Sequence, residues 1–259
     1  MHNRPWKPAF AVVILAAIQA LAQTPVKPMA ADAHPSFAVA TIKPHDPASN
    51  GQGFDAVGDR FTIRNQSVAS LVMFAYSIHP RQIVDAPDLV SRDRFDVEGT
   101  MDTPGEPSLR QQQEMLQKLL ADLFQLKFHH DKRELSVYAI QIGKGGPKLK
   151  PAANPDAEAD QEGNGHGTEQ TITYTSASMG DFIMGEQFFV DRPLVDQTGL
   201  TGRYDFSIRY TYDEVHATDP NAPPGLFTAV QEQLGLKFDP VKAATDVFVI
   251  DHIERPSPN

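Results

Sequence analysis

The sequence predicts an α+β fold of two tandem similar units, each reading strand, helix, short strand, strand, helix, hairpin, with helices packed on one face of mixed sheets. The first reason is that strand-like and helix-like periodicities alternate within about 90 residues of each half. The second is an internal correspondence at near-constant spacing. Ser67 and Ser178 are 111 residues apart, as are Leu71 and Phe182, Arg81 and Arg192, Val84 and Val195, and Asp85 and Asp196. Arg94-Phe95-Asp96-Val97 meets Arg203-Tyr204-Asp205-Phe206 at a shift of 109. Leu126-Lys127-Phe128 meets Leu236-Lys237-Phe238 at 110, and residues 137–140 meet 247–250 at 110. The third is that residues 37–44 share their alternation and terminal basic-Pro with residues 249–256. An extra copy of the last strand at the front suggests a permuted order, with each half completing the other's sheet.

Taken in order, residues 37–42 alternate apolar with small or polar side chains and stop at Lys43-Pro44, which predicts a strand. Residues 50–58 read as a glycine-rich loop and 60–64 as a second strand. Ser67 can cap a helix with apolar positions Val68, Leu71, Val72, Ala75 and Ile78 before Pro80 ends it. Residues 81–85 are a short extended piece and 94–100 a longer strand. Pro107 opens the strongest helix, where Leu109, Leu116, Leu119, Leu120 and Leu123, with Met115 and Phe124, lie opposite Gln111, Gln113, Gln117 and Asp122. Residues 126–130, a turn at Asp131-Lys132-Arg133, and 135–142 predict a hairpin. The acidic, glycine-rich stretch 151–169 reads as a mobile linker. The pattern restarts at Thr171, with a capping box at Ser178 and Asp181. The expected division is therefore a signal peptide (1–22), a flexible tether (23–36), a first unit (37–150), a linker (151–169), a second unit (170–256) and a tail (257–259).

The start carries Arg4 and Lys7, then an apolar run of 14 residues closing on Ala20-Leu21-Ala22. Such a run spans about 21 Å as a helix, short of a hydrocarbon core of about 30 Å. A cleaved secretory signal is expected, with scission after Ala22; an uncleaved anchor is the alternative. The mature chain would then be periplasmic or secreted, with no membrane span. It contains no cysteine, so disulfides, thiolate metal sites and cysteine nucleophiles are excluded. A formal charge of -10 argues against nucleic acid, whose binding depends on Lys and Arg neutralising phosphates.

The candidate binding residues are those that recur: Arg81, Asp85, Arg94 and Asp96 in the first half, and Arg192, Asp196, Arg203, Tyr204 and Asp205 in the second. On a strand, Arg203 and Asp205 share one face and Tyr204 takes the other. Paired arginines could grip a carboxylate or phosphate bidentately. The structural alternative is an ion pair on the solvent face with the aromatic in the core, and recurrence in both halves favours it. Gly199 and Gly202 are expected to supply positive φ in the turn. Glu158 to Glu169 imitates a calcium loop but lacks Asp at its first position and flanking helices. No catalytic, metal or cofactor motif is found.

Residues 192–206, the early Phe-x-Val-Ala-x-Ile-Lys-Pro, and the closing 249–256 together resemble a soil-associated acidobacterial family, described as a duplicated, permuted domain of unknown function. The resemblance covers residues 37–256. It implies an exported protein with this fold, and no chemistry. Similar domains can follow a membrane metallopeptidase of the β-lactam-sensor type, which these residues do not include. Residues 61–84 are faintly similar to short N-terminal domains of secretins and TonB-dependent receptors. The expected function is a non-enzymatic binding or interaction module of the envelope, whose partner is an unknown protein or small molecule. A hydrolase with a site between the units, and a secretin-like assembly element, are the alternatives.

Overall fold

A computed structural model describes residues 27–166, 168–211 and 222–257. The expected signal peptide, residues 23–26 and the last two residues of the tail lie outside them. In chain order, β1 (Phe37–Pro44), β2 (Gly53–Val57) and β3 (Arg60–Ser67) lead into α1 (Val68–Tyr76). Then come β4 (Ile83–Val84), α2 (Asp88–Arg92), β5 (Arg94–Met101), α3 (Leu109–Leu123) and the long β6 (Lys127–Ile142). The second half gives β7 (Lys150–Pro151), β8 (Asp160–His166), β9 (Glu169–Ala177), α4 (Met179–Glu186), β10 (Leu194–Asp196) and β11 (Tyr204–Thr211). Helix α5 (Leu226–Ala229), continued by a π-turn over Val230–Leu234, and β12 (Leu236–His252) close it. The fold is mixed α+β, as the periodicities predict.

Serines start α1, α3 and α4 because their hydroxyls satisfy amides that lack an intrahelical partner. Ser67 accepts from the Ser70 amide, while Ser108 with Gln111 and Ser178 with Asp181 form reciprocal capping boxes. Each half carries a four-stranded sheet, ordered β1-β5-β3-β2 in the first and β7-β11-β9-β8 in the second. Their registers agree. Ile63 faces Val97 and Gln66 faces Phe95, with a bulge between. In the second sheet Tyr174 faces Phe206 and Ala177 faces Tyr204, again with a bulge between. Lys43 and Pro44 face Asp96 and Phe95, as Lys150 and Pro151 face Asp205 and Tyr204.

A third sheet, β10-β6-β12-β4, joins the halves. Strands β6 and β12 form an antiparallel ribbon from Lys127 opposite His252 to Ile142 opposite Leu236. Sixteen residues of β6 extend about 54 Å at 3.4 Å per residue. That is enough to cross from one core to the other. β6 leaves the first core at Phe128 and delivers Ile140 to the second, while β12 starts in the second at Leu236 and Phe238 and delivers Phe248 and Ile250 to the first. The edge strands are exchanged, as expected: β4 lies parallel to β12 at Ile83–Phe248, and β10 lies parallel to β6 at Leu194–Tyr138.

Several expectations are corrected. The hairpin at residues 126–142 is one continuous strand, and Asp131, Lys132 and Arg133 pair with Val247, Asp246 and Thr245 in mid-ribbon. They are polar because the ribbon is between cores there and exposed, not because the chain turns. The glycine-rich loop and the linker each contain an edge strand, β2 and β8. Residues 37–44 are not a copy of 249–256: β1 pairs with β5, whereas 249–252 belong to the ribbon. The counterpart of Ile42-Lys43-Pro44 is Leu149-Lys150-Pro151. The described part of the tether packs on α3, with Met29 buried and the Gln111 amide donating to the Ala30 and Ala33 carbonyls at 2.7 and 3.2 Å.

Both bulges depend on an aspartate that accepts a hydrogen bond from the backbone. Asp96→Ala is expected to lower stability to urea by about 1–3 kcal/mol, the usual cost of stripping a buried amide of its acceptor. Asp205→Ala should act in the same direction. Unchanged midpoints for both variants would refute the role given to these carboxylates.

Candidate functional site

The Arg-aromatic-Asp triplets do not form internal ion pairs; each grips a bulge. Asn65 and Ser176 both adopt left-handed backbone, φ 52° and 51°. The Asp96 carboxylate accepts from the Asn65 amide at 2.9 Å, and Arg94 Nη1 donates to the Asn65 carbonyl at 2.9 Å. In the second half Asp205 accepts from the Ser176 amide at 2.8 Å, and Arg203 Nη1 donates to the Ser176 carbonyl at 2.7 Å. Phe95 is buried and Tyr204 half-buried between these polar neighbours. The Ser176 amide, then that of Ala153, holds the Asp205 carboxyl below the usual range. For Asp96 burial opposes ionisation, and the Asn65 amide and His45 outweigh it, so its pKa is lowered too.

The other recurrent charges find partners different from those expected. Arg81 and Arg192, one from each half, meet at Asp191, at 3.6 and 3.4 Å. Arg192 also lies over the Tyr138 ring, whose hydroxyl donates to Asp191 at 2.8 Å. Asp85 pairs with Arg133 at 2.7 Å. Asp196 accepts from the Thr198 amide and hydroxyl, closing the turn before Gly199. Gly199 has φ +70°, as expected of that turn, but Gly202 does not have positive φ. A β-carbon at Gly202 would lie 3.0 Å from the Tyr204 hydroxyl, a tight approach that a shift of the half-exposed tyrosine could relieve.

Where the halves differ, a pocket opens. The segment between Asp85 and Arg94 is two residues longer than that between Asp196 and Arg203, and the extra length forms α2. The end of helix α2, the chain after β1 and the C-terminal arm line a cavity of about 690 Å³ that is open to solvent on one side. Its walls include Ile42, Pro44, Pro47 and Phe95, and its charged lining is Arg92, Arg94 and Arg255 against Asp93. Asn65 Oδ1, beside it, is buried without a hydrogen-bond partner. His45 lines the same cavity and donates from Nδ1 to Asp96 at 2.8 Å. In the second half the corresponding bond to Asp205 comes from the Ala153 amide, and Ser176 Oγ donates to the carbonyls of Asn154 and Ala157. The chain at 152–157 thus covers the second bulge, while the first faces a cavity. Of the candidate residues, Arg94 lines this pocket and Asp96 supports it through His45. His45, Asn65, Arg92 and Arg255 were not singled out by the sequence, because their convergence depends on the swapped ribbon end.

A second polar cluster was also missed. Glu186, at the end of α4, is fully buried and accepts from the hydroxyls of Tyr174 and Tyr210, each at 2.9 Å. Gly185 permits this, since a β-carbon there would lie 2.2 Å from the Tyr174 hydroxyl. Burial pushes the Glu186 carboxyl up to about 7, with the two tyrosine hydrogen bonds pulling the other way. Burial, followed by the Glu186 charge, raises both tyrosines.

Because its folded pKa is above the unfolded value, Glu186 binds more protons in the native state between those two values. Its contribution is therefore fully present at acid pH and is lost as pH rises from about 4.5 to about 7. A displacement of that size corresponds to about 3 kcal/mol as an order of magnitude. Glu186→Gln should remove this fall and leave the variant more stable than the parent above neutrality. Urea midpoints followed from pH 5 to pH 8 with roughly parallel curves for the two proteins would contradict it.

Among the described residues, no helix is long and apolar enough to cross a membrane, and no three or more His, Asp or Glu side chains are grouped to hold a metal ion. No characterised protein and no solved structure matches the chain. Residues 69–253, which include the second bulge, the whole ribbon and the buried Glu186 but begin after Asn65 of the first bulge, match the family model described as Protein of unknown function (DUF3738). The chain belongs to the DUF3738 family.

Proposed function

We propose that this protein is an exported, non-enzymatic binding module of the cell envelope that holds a small molecule in the cavity between β1, α2 and the C-terminal arm. One observation carries the reading. Two bulges are built alike, but the second is closed by the chain at 152–157 and the first opens on about 690 Å³ of cavity. A cavity of that volume is within the range of small-molecule sites, roughly 300–1,000 Å³. Tandem duplication accounts for the asymmetry: one copy keeps the structural contacts and the other has space for a ligand. Export rests on the basic start, apolar run and Ala20-Leu21-Ala22 of the first 22 residues.

The protein isolated from its own envelope fraction should retain a bound small molecule in native mass spectrometry, with a mature N-terminus at Gln23. Pro47→Trp, which fills the cavity mouth, should lose it. Equal masses beyond the substitution itself, with nothing retained by either, would end the binding reading.

Hydrolysis is the second reading, favoured by His45. Its Nδ1–H is held by Asp96, which leaves Nε2 able to act as a base, and Ser49 lines the same cavity. The second half makes the equivalent bond to aspartate with a backbone amide, so a histidine is not required for that contact. Turnover of an activated ester that disappears in His45→Ala and survives in His129→Ala would favour hydrolysis. Identical rates in wild type and both variants would eliminate it.

A further inference from the structure

Resting on the binding reading above, we infer that the ligand of this cavity is an organic anion, a carboxylate or phosphate carried on an apolar body. The protein is acidic overall, with a formal charge of -10, yet three arginines and one aspartate supply the charged lining. Asp88 and Asp93 are paired to two of these guanidinium groups, and an anion able to displace those carboxylates would take their place.

The arginines differ in how they are held. Arg94 is fixed through one arm, its Nη1 donating to the Asn65 carbonyl at 2.9 Å. Its guanidinium is therefore oriented before any ligand arrives, which reduces the entropy lost on binding. Arg92 is paired with Asp88 across an exposed contact of 2.9 Å on α2. Exposed pairs of this kind are worth roughly 0–1 kcal/mol, so exchanging Asp88 for a ligand oxygen costs little. Arg255 is paired with Asp93 at 2.7 Å in the same lining. Between them the rings of Pro44, Pro47 and Pro256 offer apolar surface, which suits the body of the ligand. The guanidinium fork fits carboxylate and phosphate alike.

The test is calorimetric titration of the intact mature protein with phenylpropionate, phenyl phosphate and phenylpropionamide. Both anions are expected to bind about tenfold or more tightly than the amide, the extra strength of charge-assisted contacts. The tighter of the two then identifies the headgroup. Arg92→Gln should weaken the anions several-fold and leave the amide unchanged, and added salt should weaken the anions alone. Amide binding equal to that of the acid, or salt-independent anion binding, would overturn the anionic assignment. So would failure of all three probes in a protein that retains a molecule in native mass spectrometry. That last outcome leaves the cavity a binding site and removes only its proposed chemistry, whereas an absence of any retained molecule removes the binding reading itself.

Discussion

The structure depends on the hold that a strand aspartate and arginine have on one left-handed residue. Non-glycine residues in that conformation cost roughly 1–2 kcal/mol. At Asn65 and Ser176 the backbone amide and carbonyl are both occupied, by Asp96 with Arg94 and by Asp205 with Arg203. The bulge so fixed shifts the register of β3 and β9 two residues before the capping serines of α1 and α4, and pairing resumes beyond it at Gln66–Phe95 and Ala177–Tyr204. The direction in which each helix leaves, and so the apolar face it brings to the core, follows from that grip. The triplet also explains its own spacing. Alternation along a strand sends the middle aromatic inward while the two charged neighbours reach the adjacent bulge.

The second constraint is the ribbon. Neither half has a complete core from its own residues, since Phe248 and Ile250 belong to the first and Ile140 to the second. The stacked rings of Phe128 and Phe248, with centroids 3.8 Å apart, show the exchange at one place. A charged middle is the consequence of joining two cores by strands longer than either. Asp131, Lys132 and Asp246 sit where no core covers them, and Lys132 meets Asp246 at 3.6 Å.

The features legible in the sequence were those written in local pattern. Recurring Arg-aromatic-Asp triplets marked both bulges, and Ser67 and Ser178 marked two helix starts. What misled was polarity without context. Asp131-Lys132-Arg133 imitates a turn because an exposed strand centre and a turn share a composition. β2 and β8 carry too many glycines and acids for strand alternation, and they exist as edges because β3 and β9 offer free partners. The match of residues 37–44 to 249–256 rested on a basic-Pro ending, whereas the register of Lys43 and Lys150 against their aspartates gives the true counterpart. Glu186 was invisible because its burial is made by side chains of β9 and β11.

The asymmetry between the halves separates maintenance of the fold from any activity. Arg94 and Arg203 make the same bond to a bulge carbonyl, so neither needs a ligand to account for its presence. Arg92 is different. It lies in the segment that is two residues longer than its counterpart, that counterpart has no α2, and its partner Asp88 lies on the same exposed helix. His45 is different as well, because the second half makes the corresponding bond with the Ala153 amide. Residues that the fold requires recur in both halves, and residues that the fold could omit gather around one cavity. That contrast is what directs attention to the first bulge rather than the second.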